Sequence, residues 1–228
     1  MKSAWPSVIM NGSASADVVD RDLIAGWLHA RSIARALPMP VADHGGWRVD
    51  TRSEQEWCRY VFTDPAPAIA ELAQCITQPR VYVKLCQDDA VLRALLPSHW
   101  QICAPSWMMT AGATPLAETG LPDGYLPTVE TINGVVRVAI TGADGALAAS
   151  GYAAEASGVL VYDRIVTNPD HQRRGLGRAV MSLLQAQRRS SASREVLVAT
   201  AQGRALYTSL GWSVHCPYAT AVIPDAVP

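Results

Sequence analysis

The chain is poor in phenylalanine, with one against seven tryptophans and seven tyrosines, a bias that by itself excludes nothing. Other shortages are more telling. No stretch approaches roughly 18 uninterrupted apolar residues, which excludes a helical membrane span. The first ten residues, Met1 to Met10, lack the continuous apolar core of a secretory signal. Neither sign of charge dominates: 19 basic and 20 acidic side chains leave a formal net charge of −1. The overall balance therefore points to neither nucleic acid nor a membrane surface as partner. The five cysteines (Cys58, Cys75, Cys86, Cys103 and Cys216) form no C-x-x-C pair, and no histidine stands at a spacing suited to zinc. No metal site is expected. Their odd number and wide spacing suit a reducing compartment, and the four that sit among apolar or aromatic neighbours are expected to serve as small buried hydrophobes. The expectation is a soluble, cytoplasmic protein.

Hydrophobic residues make up 49% of the 228, ample for a core. That length fits one large domain or two small ones. Residues 1–16 read as a loose start. Asp17 to Leu37 carries Leu23, Ile24, Trp27 and Leu28 at helical spacing and stops at Pro38-Met-Pro40. Gly46–Asp50 reads as a short strand, Glu54–Phe62 and Ala66–Ile76 as helices, Arg80–Leu85 as a strand and Asp88–Leu96 as a helix. The Pro/Gly-rich stretch Thr110–Pro122 is the expected linker, dividing the chain into residues 1–111 and 112–228. Beyond it the pattern gives strands over Tyr125–Thr131 and Val135–Ile140 around Asn133-Gly134, then Ala146–Tyr152 after Asp144-Gly145. Strand, helix, strand and helix follow.

The most informative segment is His171-Gln-Arg-Arg-Gly-Leu-Gly-Arg178. The apolar run Gly158–Thr167 and the breaker Asn168-Pro169 precede it, and the helix-competent Ala179–Gln187 follows. Glycines at a helix mouth admit a ligand close to backbone N–H groups that lack intrahelical partners. The helix dipole favours negative charge there, and Arg173, Arg174 and Arg178 add more attraction, which suits a phosphate or pyrophosphate. A Walker loop is excluded because Arg178-Ala179 stand where Lys-Ser/Thr is required. A dinucleotide fingerprint is disfavoured by Val180 at its third small position and by the long gap after the strand.

Gln172-x-x-Gly175-x-Gly177 after Thr-Asn-Pro resembles motif A of the GCN5-related N-acetyltransferases (GNAT family). A second block, Ala205-Leu-Tyr-Thr-Ser-Leu-Gly-Trp212 after the strand-like Arg194–Thr200, is similar to that family's segment ending in Leu-Gly-aromatic. The resemblance covers Gly158 to about Val222. It implies a mixed α/β, mostly antiparallel sheet flanked by helices, with an N-terminal companion α/β domain. It also implies acetyl-CoA as acyl donor, held by the strand end Ile165, Val166 and Thr167, by the loop Gln172, Arg173, Arg174, Gly175, Leu176, Gly177 and Arg178, and by Thr200. Thr200 stands where the family often has asparagine.

By the same resemblance Tyr207 is the general acid facing the sulfur of coenzyme A. Its other reading is an amphipathic core tyrosine. Asp163 is the candidate base, on the reasoning that strand alternation puts it on one face with Ile165 and Thr167. It could instead pair with Arg164 or cap an edge; His171 could also serve as base, though its place in the turn favours a structural or solvent-facing role, and a water relay would need neither. The implied activity is N-acetylation of a small-molecule or peptide amine, without nucleic acid or membrane, and compatible with a homodimer. The competing class is a non-catalytic acyl-CoA-binding or interaction module.

One further pattern links the halves. Arg80-Val-Tyr-Val, a helix, then Trp100-Gln-Ile-Cys-Ala-Pro105 runs like Arg194-Glu-Val-Leu-Val, a helix, then Trp212-Ser-Val-His-Cys-Pro217. Coincidence and a degenerate first copy stand level. The first half has no counterpart of the glycine-arginine loop, so such a copy would not hold a cofactor in the usual way.

Overall fold

The computed structural model describes residues 19–114, 116 and 120–225. The expected loose start and part of the expected linker lie outside them. The first half runs α1 (Arg21–Ala34), β1 (Val41–Asp43), β2 (Gly46–Val49), β3 (Cys58–Phe62), α2 (Pro67–Cys75), β4 (Val81–Leu85), α3 (Asp89–Leu95), β5 (Gln101–Ile102) and β6 (Ser106–Thr110). The second runs β7 (Leu126–Ile132), β8 (Val135–Thr141), β9 (Leu147–Ala156), β10 (Val159–Thr167), α4 (Leu176–Gln185), β11 (Arg194–Thr200), α5 (Ala201–Ser209), β12 (Ser213–Pro217) and β13 (Ala219–Val222). This is the expected mixed α/β architecture, in two mostly antiparallel sheets flanked by helices.

The strands do not stay with their own halves. One sheet has the order β1-β2-β3-β4-β13-β5 and the other β12-β6-β11-β10-β9-β8-β7. The last strand of each half thus inserts into the sheet of the other: β6 pairs with β11 and β12, and β13 with β4 and β5. A division at residue 111 follows the chain, but two strands cross it. In each sheet the only parallel neighbours are the two strands joined by α2 or by α4, β3 with β4 and β10 with β11.

One expected element is corrected. Glu54–Phe62 is not a helix, because Cys58–Phe62 is a fully buried strand. Trp57, Tyr60 and Val61 fit helical spacing, but five residues rich in aromatic and β-branched side chains suit a strand covered on both faces equally well. Cys58, Tyr60 and Phe62 join one core and Val61 another. The buried Arg59 ion-pairs with Glu56 just before the strand. Of the cysteines, Cys58, Cys86 and Cys216 are buried as expected, while Cys75 is exposed and Cys103 partly so.

Helix α1 joins the two sheets. Asp20 caps it, accepting from the N–H groups of Asp22 and Leu23 at 3.0 Å each. Its Leu23, Ile24, Trp27 and Leu28 are buried with Val61 of the first sheet, with Cys86 just after β4, and with Val159, Val161 and Val196 of the second. Gly26 allows a very close approach: a Cβ there would lie 2.8 Å from the Ser157 carbonyl oxygen and 2.7 Å from Val159 Cγ2. The first half thereby supplies the helix that covers β9 and β10, and its last turn carries Arg31 into position beside the second sheet.

On the opposite face of that sheet α4 buries Leu176, Ala179, Val180, Met181 and Leu184. Its C-terminal end is fixed by a buried polar cluster. Glu195 accepts from Tyr162 Oη at 2.5 Å, from Gln185 Nε2 at 2.9 Å and from Arg188 Nη1 at 2.8 Å. These bonds tie β10, α4 and β11 together at the end away from the glycine loop.

Candidate active site

Strands β10 and β11 pair only from Val159↔Arg194 to Val161↔Val196. Beyond that point β11 continues alongside β6, and β10 alongside β9. The two parallel neighbours therefore splay, and backbone groups on the facing edges from Tyr162 and Leu197 onward have no ladder partner. A cleft of about 720 Å³ opens there, with the splayed strands, the glycine loop and α1 in its walls. The parallel pair of the first sheet, β3 and β4, stays paired from Cys58↔Val81 to Phe62↔Leu85 and leaves no such gap.

A bulge shapes the cleft wall. Between Asp163↔Tyr152 and Val166↔Ser150, β10 spends one more residue than β9, and Arg164 takes φ +52°. An extra residue reverses the alternation beyond it. This corrects the expectation that Asp163 shares a face with Ile165 and Thr167. Ile165 points toward α4, where a Cβ on Gly151 would lie 2.5 Å from Ile165 Cδ1 and 2.6 Å from Val180 Cγ1. Asp163 points toward α1.

There Arg35 Nε and Nη2 donate to the Asp163 carboxylate at 2.5 and 2.8 Å. Burial pushes this carboxyl up, but hydrogen bonding from Arg35 and the charges of Arg31, Arg35 and Arg164 outweigh it and hold the pKa below the ordinary value. A carboxylate held in this way is a poor proton acceptor, so the candidate base becomes a structural ion pair. Its partner is Arg35 at least as much as Arg164, whose Nε lies 3.5 Å away. Side-chain exposures of 31% for Arg35 and 11% for Asp163 place the pair between surface and interior. Asp163→Asn should cost about 2 kcal/mol in chemical denaturation, below the range for fully buried pairs because Arg35 still meets solvent. With the folded pKa depressed, this contribution is present above the unfolded carboxyl pKa and is lost as pH falls through the folded one.

The glycine loop faces the cleft as expected. After the short turn Pro169–His171, Gly175 precedes α4 in the left-handed region at φ +79°, with open space around its α-carbon. Conformation is what demands glycine there. Gly177 is different: a Cβ would meet Leu206 Cδ2 at 3.1 Å and Thr167 Oγ1 at 3.7 Å, on the side lining the cleft. Gln172, Arg173, Gly175, Leu176, Gly177 and Arg178 line the cleft, with Ile165, Val166, Thr167 and Thr200. Leu176 has its side chain in the core, so only its backbone can face a ligand. Arg174 is not in the wall; it donates to Tyr125 Oη at 2.8 Å and to the Asp170 carbonyl at 3.2 Å. Tyr125 in turn meets His171 Nδ1 at 2.9 Å, which gives the histidine the structural place in the turn. Thr200 caps α5, its hydroxyl oxygen accepting from Gly203 N–H at 3.2 Å, and that hydroxyl retains a proton to donate.

Tyr207 reaches the cleft from α5. Helix α5 ends at Ser209 with Leu210 as its cap, and Gly211 at φ +83° lets Trp212 N–H bond back to the Tyr207 carbonyl at 3.0 Å. Trp212 is thereby seated against Tyr207 and Tyr162, with ring centroids 6.1 and 5.4 Å apart. Tyr207 is 7% exposed, and burial pushes its phenol up to about 12.

The sequence reading missed a wall built by the first half and the exchanged strands: Trp27, Arg31, Arg35, Lys84, Tyr218 and Thr220. One signal was available. Lys84 is one of only two lysines in the chain, and it stands in β4 on the face of Tyr82, opposite the buried Val81, Val83 and Leu85.

With this geometry in view, the comparisons with known proteins are informative. A family model described as acetyltransferase (GNAT) domain matches residues 129–214, from within β7 to the start of β12. Residues 129–214 form a GNAT acetyltransferase domain. The structure is similar to a GCN5-related N-acetyltransferase from Kribbella flavida, with TM-score 0.63 and 17% identity over 90% of this chain and 96% of that one. It also resembles a GNAT-family protein from Novosphingobium aromaticivorans (TM-score 0.53, 19% identity, 89% and 97% covered). A third similar structure is a GCN5-related N-acetyltransferase-like protein from Streptococcus suis (0.57, 10%, 82% and 88%). At these identities the likeness is one of fold. No curated protein matches the sequence. Family and fold together support acyl transfer in general terms. Among the described residues no helix is long and apolar enough to cross a membrane.

Proposed function

We propose that this GNAT domain is an acetyl-CoA-dependent N-acetyltransferase acting on a small-molecule or peptide amine. The observation that carries the reading is the splay of β10 and β11 directly beside the glycine loop, with Tyr207 in the same cleft. The unpaired strand edges can hydrogen-bond an extended amide-bearing arm as a further strand would. The loop N–H groups at the mouth of α4 suit a diphosphate, and Arg173 and Arg178 add charge.

Acetyl-CoA supplies an activated thioester. The acceptor nitrogen, entering uncharged, attacks the acyl carbon, the carbon–sulfur bond breaks, and the departing thiolate takes a proton from the Tyr207 hydroxyl. The nitrogen gives up its extra proton to solvent, since Asp163 is committed to Arg35, and solvent returns a proton to the Tyr207 phenolate to complete the cycle. A phenol whose pKa is raised by burial keeps its proton at physiological pH, as an acid in this step must.

Calorimetry with acetyl-CoA, followed by thiol release with a panel of amines, tests this. One equivalent per chain is expected, because β3 and β4 do not separate and the first half has no glycine-arginine loop. Two equivalents would refute the assignment of a single cofactor cleft. Acetyl-CoA binding with no turnover on any amine would favour the non-catalytic binding module.

A further inference from the structure

Opposite the glycine loop the cleft is closed by a cationic wall that the acyl donor does not account for. Arg31 comes from α1, Lys84 from β4, and Tyr218 from the residue between β12 and β13. Among the described residues the Arg31 guanidinium has no hydrogen bond or ion pair; its central carbon lies 5.5 Å from the Trp27 ring centroid. Lys84 Nζ donates to Thr220 Oγ1 at 3.3 Å and otherwise faces the rings of Tyr82 and Tyr218 at 5.3 and 5.7 Å. Tyr218 is 3% exposed, and its hydroxyl is buried without a hydrogen-bond partner. Trp27 packs edge-on against it at 5.6 Å, so the three groups share one neighbourhood.

The nearby charges leave the wall positive. Arg35 is neutralised by Asp163, and Glu56 is paired with Arg59. Arg164 donates to the Ala34 carbonyl and stacks on Tyr152. Arg31 and Lys84 remain without a carboxylate. Burial, then the charge of Arg31, pulls Lys84 down to about 8, as expected for an ammonium held beside another cation. Two unpaired cations and an orphaned hydroxyl directed at one space are expensive unless something anionic meets them.

We propose that Arg31, Lys84 and the Tyr218 hydroxyl form an oxyanion-binding subsite for the acceptor, so that the amine acetylated here also carries a carboxylate or a phosphate. This inference rests on the acetyltransferase reading. The phosphates of the acyl donor are a poor alternative occupant. The loop that suits them starts beyond Thr167; Asp163, beside which Arg31 lies, is three paired residues of β9 back along the sheet, roughly 10 Å away.

The test uses matched acceptors with the full chain. Each amino acid is compared with its amide, and phosphoethanolamine with ethanolamine, following thiol release from acetyl-CoA. In at least one pair the anionic member should have kcat/KM about 10–100-fold higher. The responding pair identifies carboxylate or phosphate. The double variant Arg31→Met/Lys84→Met should collapse that ratio toward one through KM, with acetyl-CoA affinity held. Arg31→Gln alone, on the partly exposed helix face, provides a milder second variant if the double one fails to fold, and should reduce the ratio in part.

Equal kcat/KM within every pair, a ratio indifferent to the variants, or binding of acetyl-CoA with no turnover of any pair would overturn the subsite. Weakened acetyl-CoA affinity in a folded variant would overturn it too, by assigning these cations to the donor. Absence of acetyl-CoA binding in the unsubstituted protein would instead mark failure of the acetyltransferase reading, and the subsite would fall with it.

Discussion

Gly177→Glu should abolish acetyl-CoA binding, lowering affinity by more than about 100-fold, while the protein remains folded. Gly177 is in the first turn of α4, where unpaired N–H groups and the helix dipole favour an anion. The contacts a side chain would meet there are tolerable: Leu206 Cδ2 at 3.1 Å is the far end of a flexible chain, and Thr167 Oγ1 is at 3.7 Å. A carboxylate in that turn interacts favourably with the dipole, so the helix itself has no reason to weaken. The same carboxylate would occupy the space of the diphosphate and repel it. Like charges placed together at an interface cost several kcal/mol, which sets the scale of the loss. Calorimetry with acetyl-CoA and thermal unfolding on the same samples provide the check. Unchanged affinity would remove the loop from the donor site. Gly175, constrained by its left-handed conformation, should behave differently: Gly175→Ala strains the loop by about 1–2 kcal/mol without blocking the cleft.

Tyr207→Phe should lower turnover by about 100-fold with acetyl-CoA affinity nearly unchanged. The ring packs against Trp212 and phenylalanine preserves that contact, so only the hydroxyl is lost. General acids contribute roughly 10²–10⁴-fold, and a thiolate is already a fair leaving group, which places the effect at the lower end. With the phenol raised to about 12, the acid form persists well into the alkaline range. The pH profile of kcat should therefore show no falling limb from Tyr207 below about pH 11. Single-turnover measurements with an identified acceptor isolate the chemical step. Wild-type turnover by a folded variant would move Tyr207 to a packing role.

Much of the donor half of the site follows from local sequence. The glycine-arginine loop, the hairpin at Asn133-Gly134, the helix stop at Leu-Gly-Trp and the capped amphipathic α1 are set by interactions spanning a few residues, and such interactions leave a pattern in the chain. They account for the element order beyond the linker and for nearly all the loop residues in the cleft wall, while the fold class came from the family resemblance these motifs carry. Three features were settled only by tertiary structure. Cys58–Phe62 became a strand because neighbours on both sides and both faces were available to it; the run itself suited either state. Asp163 faces Arg35 rather than sharing the α4 face with Ile165, because one extra residue in the β10 bulge changes the parity between them, and that leaves no mark in composition. The cationic wall joins Arg31, Lys84 and Tyr218 across nearly two hundred residues, because β6 and β13 exchange sheets and α1 lies against the sheet of the other half. Long-range pairing of that kind depends on which edges remain open after the local elements have formed, and no local pattern encodes it.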